Sequence, residues 1–360
     1  MNRDHVSAKR TAALVANRAM LTVAYGRRYL DAYRRLAAEF DRRPRGHIAS
    51  IWQEAAAELD ATIKGSWETG FDVGRRGVRG RIWEWNTHLD SPAAIARADD
   101  KAFVADLVAS LGSAVPEQLG FSLRQIGSAL ERVREHPGRW VVKPRSGAGG
   151  MGVTCGIERS PDVLRAAVAA ATVQDELILE RQVEGPVYRL LFLDGELLDV
   201  VRRDPSAVTG DGDSTIAELV SRENHARFEA GGARGNQLVR PDHDLLFALR
   251  SRGLKLETIP PEGVQTRVKH SNGDGGRFDT HSVASSTLPP QLVAAATDAV
   301  AALYHHRAGV DLVAPGPGAP TPGAILEINA PPALHYHYVT ADGPSDARVA
   351  TRVLDRVLSA

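Results

Sequence analysis

Three oxygen-bearing side chains occur late in the chain, within two short apolar segments. Asp311 lies in the segment GVDL, and Glu327 and Asn329 stand two residues apart in LEIN. Side chains two apart on a strand point to the same face, and burying such groups without a cation or a partner costs free energy. Carboxylate and amide oxygens are ligands that Mg²⁺ prefers. We therefore predict a site for two Mg²⁺ ions, with Mn²⁺ as the alternative metal; two ordinary strands with surface acids are the alternative interpretation.

A glycine-rich run, Gly147 to Gly152, lies well upstream of these acids. Its spacing, G-x-G-x-x-G, matches a dinucleotide-binding turn, but that turn requires a helix directly after the glycines. Residues 153–158 are largely β-branched and favour a strand, as does the apolar segment Trp140–Lys143 before the run. We predict a strand–loop–strand hairpin whose backbone N–H groups close over a triphosphate. A plain flexible hairpin is the alternative.

The position of Lys143 distinguishes this hairpin from two other phosphate-binding loops. In protein kinases the lysine follows the glycine loop, and the tripeptides H-R-D and D-F-G come later. A Walker-type loop continues as Gly-Lys-Ser/Thr. The sequence contains none of these tripeptides, and its lysine ends the strand that precedes the glycines.

Helices and strands alternate around these two motifs. Asp194-Gly195 between two apolar runs predicts a hairpin, and Thr215 with Glu218 has the spacing of a capping box. We predict helices over residues 1 to about 45, Ile51–Lys64, Lys101–Ser110, Pro290–His305 and Ser345–Leu358, and strands over Leu177–Glu180, Gly309–Val313 and Ala324–Asn329.

The first predicted helix is rich in arginine. Tyr25, Tyr29 and Tyr33 recur every four residues and predict one apolar stripe along it. We interpret the arginines as the solvated face of an amphipathic helix; a docking surface for an acidic partner is the alternative.

Composition and charge exclude several classes of protein. The chain has 360 residues, 43% of them hydrophobic, and a formal net charge of zero, so no whole-molecule basic field favours nucleic acid. No apolar run is long enough to cross a bilayer, and the N-terminus lacks the apolar core of a secretion signal. The single cysteine, Cys155, fits a reducing compartment. We therefore expect a cytoplasmic protein without a nucleic-acid or membrane partner, and the sequence leaves open whether it forms a homodimer.

In this order, the motifs resemble the ATP-grasp superfamily, in particular the ATP-grasp module of cyanophycin synthetase and of bifunctional glutathione synthetase. The resemblance runs from about Gly70 to the C-terminus and includes WVVKPRSGAGGMGVTCGI, LILERQVEG, AGVDLV and ILEINAPPALHYH. It implies an α+β fold in which two α+β subdomains clamp ATP, preceded by a mainly helical N-terminal region. We expect boundaries at 1–96 for the N-terminal region, 97–186 for the subdomain with the glycine loop, and 187–360 for the subdomain with the metal and substrate sites.

The resemblance also implies roles for individual residues. Catalysis is expected from Arg189 and Arg203, which would steady the transferring phosphoryl group and the acyl-phosphate, and from Lys143, which would contact the nucleotide phosphates. Metal binding is expected from Asp311, Glu327 and Asn329. ATP binding is expected from Lys101, Lys143, Gly147, Gly149, Gly150, Gly152, Glu180, Arg181, Val183 and Glu184. Substrate binding is expected from Arg267, Lys269, Asn272, Gly276, His335 and His337.

Some positions depart from the family pattern. Val187 stands where family members often carry an acid that holds the ribose, so Glu184 is the substitute candidate. His335 replaces an arginine of the terminal motif, whereas His337 is retained. These changes cluster where the acceptor should bind, so neither cyanophycin nor glutathione synthesis is implied.

The implied activity is that of an ATP-dependent carboxylate–amine ligase, which forms an amide or peptide bond through an acyl-phosphate and releases ADP and phosphate. Its substrates are expected to be a small-molecule or peptide carboxylate and an amine. Two alternatives stay open at this point: ligation to a thiol or hydroxyl, or release of a phosphorylated product; and a non-catalytic nucleotide-binding protein.

Overall fold

The computed structural model describes residues 8–43, 46–230, 237–273, 279–316, 323–343 and 348–359. Its helices are α1 (Ala8–Tyr25), α2 (Arg27–Phe40), α3 (Gly46–Glu58), α4 (Pro92–Asp99), α5 (Lys101–Ser110), α6 (Ile126–Glu135), α7 (Ser160–Ala171), α8 (Ile216–Glu229), α9 (His243–Arg250), α10 (Pro290–Ala302) and α11 (Val349–Val357). In this part of the chain no helix is both long enough and apolar enough to cross a membrane.

Within the described ranges, the strands form four antiparallel sheets. They are β1 (Thr62–Ser66), β2 (Gly70–Arg75), β3 (Val78–Ile82), β4 (Gln118–Phe121), β5 (Trp140–Pro144), β6 (Thr154–Ile157), β7 (Leu177–Arg181), β8 (Val187–Leu193), β9 (Glu196–Arg203), β10 (Ala207–Thr209), β11 (Gln265–Arg267), β12 (Thr280–Ser282), β13 (Arg307–Val313) and β14 (Ala324–Asn329). The strand orders are β1-β2-β3, β4-β7-β5-β6, β10-β11 and β12-β9-β8-β13-β14.

Several local signals in the sequence are confirmed. The helix Lys101–Ser110 and the strand Ala324–Asn329 have the predicted bounds. Thr215 and Glu218 form the predicted capping box at the start of α8. The glycine run joins β5 to the antiparallel β6, as the strand–loop–strand prediction requires.

Three helix predictions are wrong in their extent, one of them only at its end, because α10 stops at Ala302 rather than at His305. The basic N-terminal segment is divided into α1 and α2 at Gly26, which has φ 77°, a conformation that glycine adopts without a Cβ clash. The helix predicted for Ile51–Lys64 ends at Glu58, and Lys64 lies in β1. Asp60 takes a left-handed φ of 52°, and the β-branched Thr62 and Ile63 that follow favour a strand.

The five-stranded sheet has two faces of different character. One face packs Leu190, Val310 and Ile328 against α5 and α10. On the other face, Leu191 and Leu193 pack into a second core. This second core joins α3, β2 and β3 to α11, so the N-terminal region and the last helix bury each other. The four-stranded sheet packs against α6 and α7 in a third core. The strands on both sides of the cleft between the two larger sheets are therefore held in place by the cores packed behind them.

Candidate active site

The register of the five-stranded sheet brings three predicted site residues into one row. Asp311 lies opposite Glu327 in the β13–β14 pair and opposite Arg189 in the β8–β13 pair. Directly opposed residues of an antiparallel pair share a face. The row therefore crosses three strands on the face that lies away from α5 and α10.

Arg189 and Arg203 share the carboxylate of Asp311. Arg189 donates to it through Nε and Nη2, with Nη2 2.7 Å from Oδ2. Arg203 Nη1 lies 3.7 Å from the same Oδ2. Burial disfavours the charged form of Arg189, but the carboxylate of Asp311 outweighs it and raises the pKa of Arg189. The bidentate pair fixes the orientation of the guanidinium as well as its charge.

Glu327, the second carboxylate of the row, lies near Lys101. Lys101 Nζ is 3.8 Å from Glu327 Oε2, and the Asn329 amide donates to Oε1 at 3.1 Å. Burial opposes the ionisation of Glu327, but nearby positive charges, Lys101 first among them, lower its pKa to about 2. No three His, Cys, Asp or Glu side chains of the described residues are grouped to hold a metal. The third oxygen available here is that of the Asn329 amide.

Lys143 forms a buried ion pair on the inner side of the four-stranded sheet. Its Nζ donates to Glu180 Oε2 at 2.6 Å, and Gln118 Nε2 donates to the same oxygen at 2.6 Å. Both charged side chains are more than nine-tenths buried. The Glu180 carboxylate therefore orients the Lys143 side chain, which lines the cavity as a cationic group.

The junction between α4 and α5 anchors the start of the glycine loop. Asp100 caps α5 and pairs with Arg145 through bonds of 2.9 and 2.7 Å. Asp99 accepts the N–H of Gly147 at 3.0 Å, and Lys101 Nζ donates to the Gly147 carbonyl at 2.7 Å. Lys101 therefore contacts the glycine loop and lies within ion-pair distance of Glu327.

The tip of the glycine loop packs against residues 269–273, called here the 269–273 segment. All four predicted loop glycines have positive φ. Arg240 Nη2 donates to the Gly149 carbonyl at 2.5 Å. A Cβ on Gly150 would lie 2.9 Å from the Cα of Gly273, so only glycine permits this approach.

Asp244, at the start of α9, connects this segment to β6. Its carboxylate accepts the N–H of Cys155 at 2.9 Å and the N–H groups of His270 and Ser271 at 3.1 and 3.0 Å. It also accepts the Ser271 hydroxyl at 2.9 Å. The strand that follows the glycine loop and the 269–273 segment are thus held by one fully buried carboxylate.

A cavity of about 960 Å³ lies between the two larger sheets. Most of the residues predicted from the sequence line it: Lys101, Lys143, Gly147, Gly149, Gly150, Glu180, Val183, Glu184, Arg189, Arg203, Arg267, Lys269, Asn272, Asp311, Glu327 and Asn329. The cavity is at the upper end of the size range of small-molecule sites, which leaves room for more than one ligand.

Four predicted residues lie outside the cavity lining. The Arg181 side chain donates to the carbonyls of His136 and Pro137, and Gly152 backs onto α7, where a Cβ would lie 3.0 Å from the Cα of Ala170. His335 is buried behind the wall, and His337 Nδ1 lies 2.6 Å from Asp199 Oδ2. Gly276, also predicted to contact substrate, lies outside the described residues.

Other lining residues were not predicted. They include the tip of a tight turn, Glu84 and Trp85, and also Cys155, Gln182 and Arg252. Asp244, which lies behind the lining, was missed as well. The signal for Asp244 was an Asp-His-Asp run before an apolar helix, which indicates a helix start but not the loops that meet there.

The lining residues fit a magnesium-bound triphosphate. Two carboxylates and one amide supply hard oxygen donors, and Lys101 and Lys143 add positive charge for phosphate. Arg203 Nε and Asn272 Nδ2 are buried and find no hydrogen-bond partner among the described residues, so donors remain for an anionic ligand at the same wall.

This chain is similar to known proteins in sequence and, separately, in three-dimensional structure. A scan against models of protein families finds no match. Cyanophycin synthetase of Trichormus variabilis is 30% identical over 265 residues, which are 72% of this chain and 29% of that protein. The glutathione biosynthesis bifunctional protein of Mannheimia succiniciproducens is 28% identical over 277 residues, 72% of this chain and 35% of that protein. The chain thus spans about a third of the length of these curated relatives.

A solved structure matches over a longer part of the chain. The crystal structure of a bifunctional glutathione synthetase from Pasteurella multocida superposes with a TM-score of 0.56 at 19% identity. The match covers 89% of this chain and 45% of that one. At this identity the likeness concerns the fold, and it confirms the fold class predicted from the sequence.

Proposed function

We propose, since this chain belongs to the ATP-grasp superfamily, that it uses ATP to activate a carboxylate and joins the activated acyl group to an amine. One observation carries the proposal: Lys101 Nζ donates to the Gly147 carbonyl of the glycine loop and lies 3.8 Å from the carboxylate of Glu327, and all three residues line one cavity. A phosphate-binding loop and a metal-binding carboxylate therefore meet at one lysine, as the transfer of a phosphoryl group requires.

The nucleotide is held between the two larger sheets. Lys101 and Lys143 face its phosphates, and the glycine loop covers them with backbone N–H groups. The residues Glu180 to Glu184 border the adenine end, with Glu184 as the candidate for the ribose. The Glu180 carboxylate is already engaged with Lys143 and Gln118, so adenine contacts at this hinge fall to backbone groups and to Val183.

Asp311, Glu327 and Asn329 would hold the magnesium ions, for which we propose a count of two, with Mn²⁺ as a substitute. When bound, such ions would neutralise the negative charge that develops on the phosphates. The low pKa of Glu327 keeps it an anion at neutral pH. Arg189, oriented by Asp311, and Arg203 bring positive charge to the same place.

The reaction proceeds in two displacements. A carboxylate oxygen of the first substrate attacks the γ-phosphorus of ATP, the bond to the β,γ-bridging oxygen breaks, and ADP leaves. The amine then attacks the carbonyl carbon of the acyl-phosphate, its proton passes to solvent or a base, and phosphate leaves with the electrons of the C–O bond. Arg203 and the Asn272 amide carry the unpartnered donors for the oxygen that becomes negative in this second step.

Exclusion of water protects the acyl-phosphate from hydrolysis. The glycine loop, the 269–273 segment and Arg240 already contact one another over the cavity. We infer that this contact is the closed arrangement in which the intermediate is held.

The test is ADP release in the presence of hydroxylamine, which traps acyl-phosphates as hydroxamates. Carboxylic acids, first amino acids and dipeptides, are screened for stimulated ADP release with Mg²⁺ and ATP. We expect Lys143→Ala to reduce the stimulated rate by at least about a hundredfold, while the surface variant Lys255→Ala keeps it. Near-normal turnover of Lys143→Ala contradicts the proposal. Hydroxamate formation separates an acyl-phosphate from release of a stable phosphorylated product, and ATP binding without stimulated turnover identifies a binding protein.

Two proposals on partners remain from the sequence. Helices α1 and α2 expose most of their arginines, which supports binding of an acidic partner. Binding of that partner should weaken as the salt concentration is raised.

The proposed homodimer is tested by light scattering of the full chain.

A further inference from the structure

One turn of the N-terminal region also lines the cavity, through Glu84 and Trp85. Along β8, Val187 and Arg189 line the cavity, whereas Leu191 lies in the core that Trp85 packs against. Glu184 to Pro186, which precede β8, line the opposite, nucleotide end. Trp85 therefore lies at the end farthest along the strand from the hinge, called here the substrate end.

The turn that carries Trp85 is tight and fixed. Trp83 and Asn86 exchange two backbone hydrogen bonds of 3.0 and 2.7 Å, so Glu84 and Trp85 form its tip. The Trp52 indole donates to the Glu84 carbonyl at 3.2 Å, and the buried Arg307 donates to the Trp85 carbonyl at 2.7 Å. Both tip residues line the cavity.

Glu84 occupies a position that favours glycine. Its φ is 56°, at the first central position of a two-residue turn, where Gly, Asn or Asp is the usual choice. A longer side chain in this conformation costs about 1 kcal/mol or more. Glu84 lines the cavity with its side chain exposed to solvent, and it forms no ion pair within the described part of the chain.

Two aromatic residues, Trp85 and Tyr336, line the cavity near Glu84, and the buried His335 packs between them. Trp85 stacks on His335 with ring centroids 5.8 Å apart, and His335 lies 4.1 Å from Tyr336. The Arg203 guanidinium lies over the Tyr336 ring, 4.2 Å from its centroid. The aromatic groups therefore extend from Trp85 to an arginine that lies near Asp311. Aromatic faces next to a carboxylate attract cations more strongly than either group alone.

We propose that Glu84 and Trp85 form a subsite for a positively charged group, an ammonium or guanidinium, on a substrate of this enzyme. The inference rests on the proposed function. The charged group has two sources, the carboxylate substrate or the amine substrate. Arg189 and Arg203 hold the reacting carboxylate, and Glu84 supplies a negative charge at the substrate end. The subsite thus sets both the class of substrate and its direction in the cavity.

The experiment uses pairs of substrates that match in shape and differ in charge. In the first arm hydroxylamine is the amine, and the acids are L-alanine against L-lactate and L-arginine against L-citrulline. In the second arm the best acid is fixed, and L-arginine and L-citrulline are compared as amines. The ratio of kcat/KM within each pair is measured for the wild type, for Glu84→Gln and for the control Glu131→Gln, which changes an exposed residue of α6.

We expect the wild type and Glu131→Gln to prefer the charged member by about fivefold or more in one arm, and Glu84→Gln to lose that preference. Because the ratio is taken within one variant, a general loss of activity cancels. The arm in which the preference occurs identifies the substrate that carries the charge. Equal rates for both members in both arms, or an unchanged ratio in Glu84→Gln, overturn the proposal. Absence of ADP release with every acid refutes the proposed function itself, which is a separate result.

Discussion

Replacement of Asp244 by alanine should destabilise the cleft more than any change to a surface acid. Its carboxylate accepts three backbone N–H groups and one hydroxyl in a fully buried position. A buried donor left without a partner costs about 1–3 kcal/mol, and water can satisfy some of these groups once the carboxylate is gone. Lys269 keeps its partner Asp242 at 2.6 Å. We therefore expect a net loss of about 3–5 kcal/mol.

The loss should be visible both in stability and in kinetics. A destabilisation of this size lowers the thermal midpoint by roughly 6–20 °C in a domain of about 150–250 residues. The KM for ATP should rise as well, because β6 and the 269–273 segment lose their common anchor. Asp244→Asn keeps one acceptor oxygen and should give an intermediate shift.

The assay is differential scanning calorimetry of the full chain with and without Mg²⁺-ATP, together with the ADP-release assay. Asp175→Ala, an exposed acid, serves as the control and should change the midpoint by less than about 1 °C. If Asp244→Ala melts like the control, the four contacts do not hold the cleft together, and the argument for a shared anchor is wrong.

Three further predictions concern single positions. Asp90→Ala should cost about 3–5 kcal/mol in unfolding free energy, because it leaves the fully buried Arg307 without its carboxylate; urea unfolding measures this. Gly150→Ala should raise the KM for ATP more than Gly149→Ala, since a Cβ meets facing backbone only at Gly150; equal KM values would contradict the closed contact. Burial lowers the pKa of His335 well below its usual range. The stability that neutral His335 contributes is therefore present above about pH 6.5 and is lost as pH falls. His335→Phe should reduce the drop in thermal midpoint between pH 7 and pH 5, and an unchanged pH profile would contradict this.

The predicted row of acids could be read from the sequence because strands have a fixed period. Glu327 and Asn329, two apart in an apolar run, belong on one face, and the pairing of Asp311 with Glu327 follows once β13 and β14 are neighbours. Lys143 and the glycine loop were recognised because the order of the elements, rather than any single motif, distinguishes this loop from others.

Contacts made by distant segments could not be read in this way. His335 and His337 lie behind the cavity lining because of the path that the chain takes after β14. That path is irregular, so the repeat of a helix or strand does not predict it. Glu84 and Asp244 become site residues only through the packing of α3, α9 and the 269–273 segment around the cleft. The strand at Thr62–Ser66 was missed because the alanine-rich α3 before it is a strong helix signal, and the left-handed Asp60 that ends the turn has no distinctive sequence pattern.

The mutual burial of α3 and α11 has a consequence for biosynthesis. Ile48 and Trp52 of α3 share one core with Val353 and Val357 of α11, although almost the whole chain separates the two helices. During synthesis the N-terminal region leaves the ribosome long before α11, with the apolar side of Trp52 uncovered. That core closes only after α11 emerges, so the wall that carries Trp85 should reach its native arrangement later than the four-stranded sheet, whose strands all precede α11 by more than 150 residues.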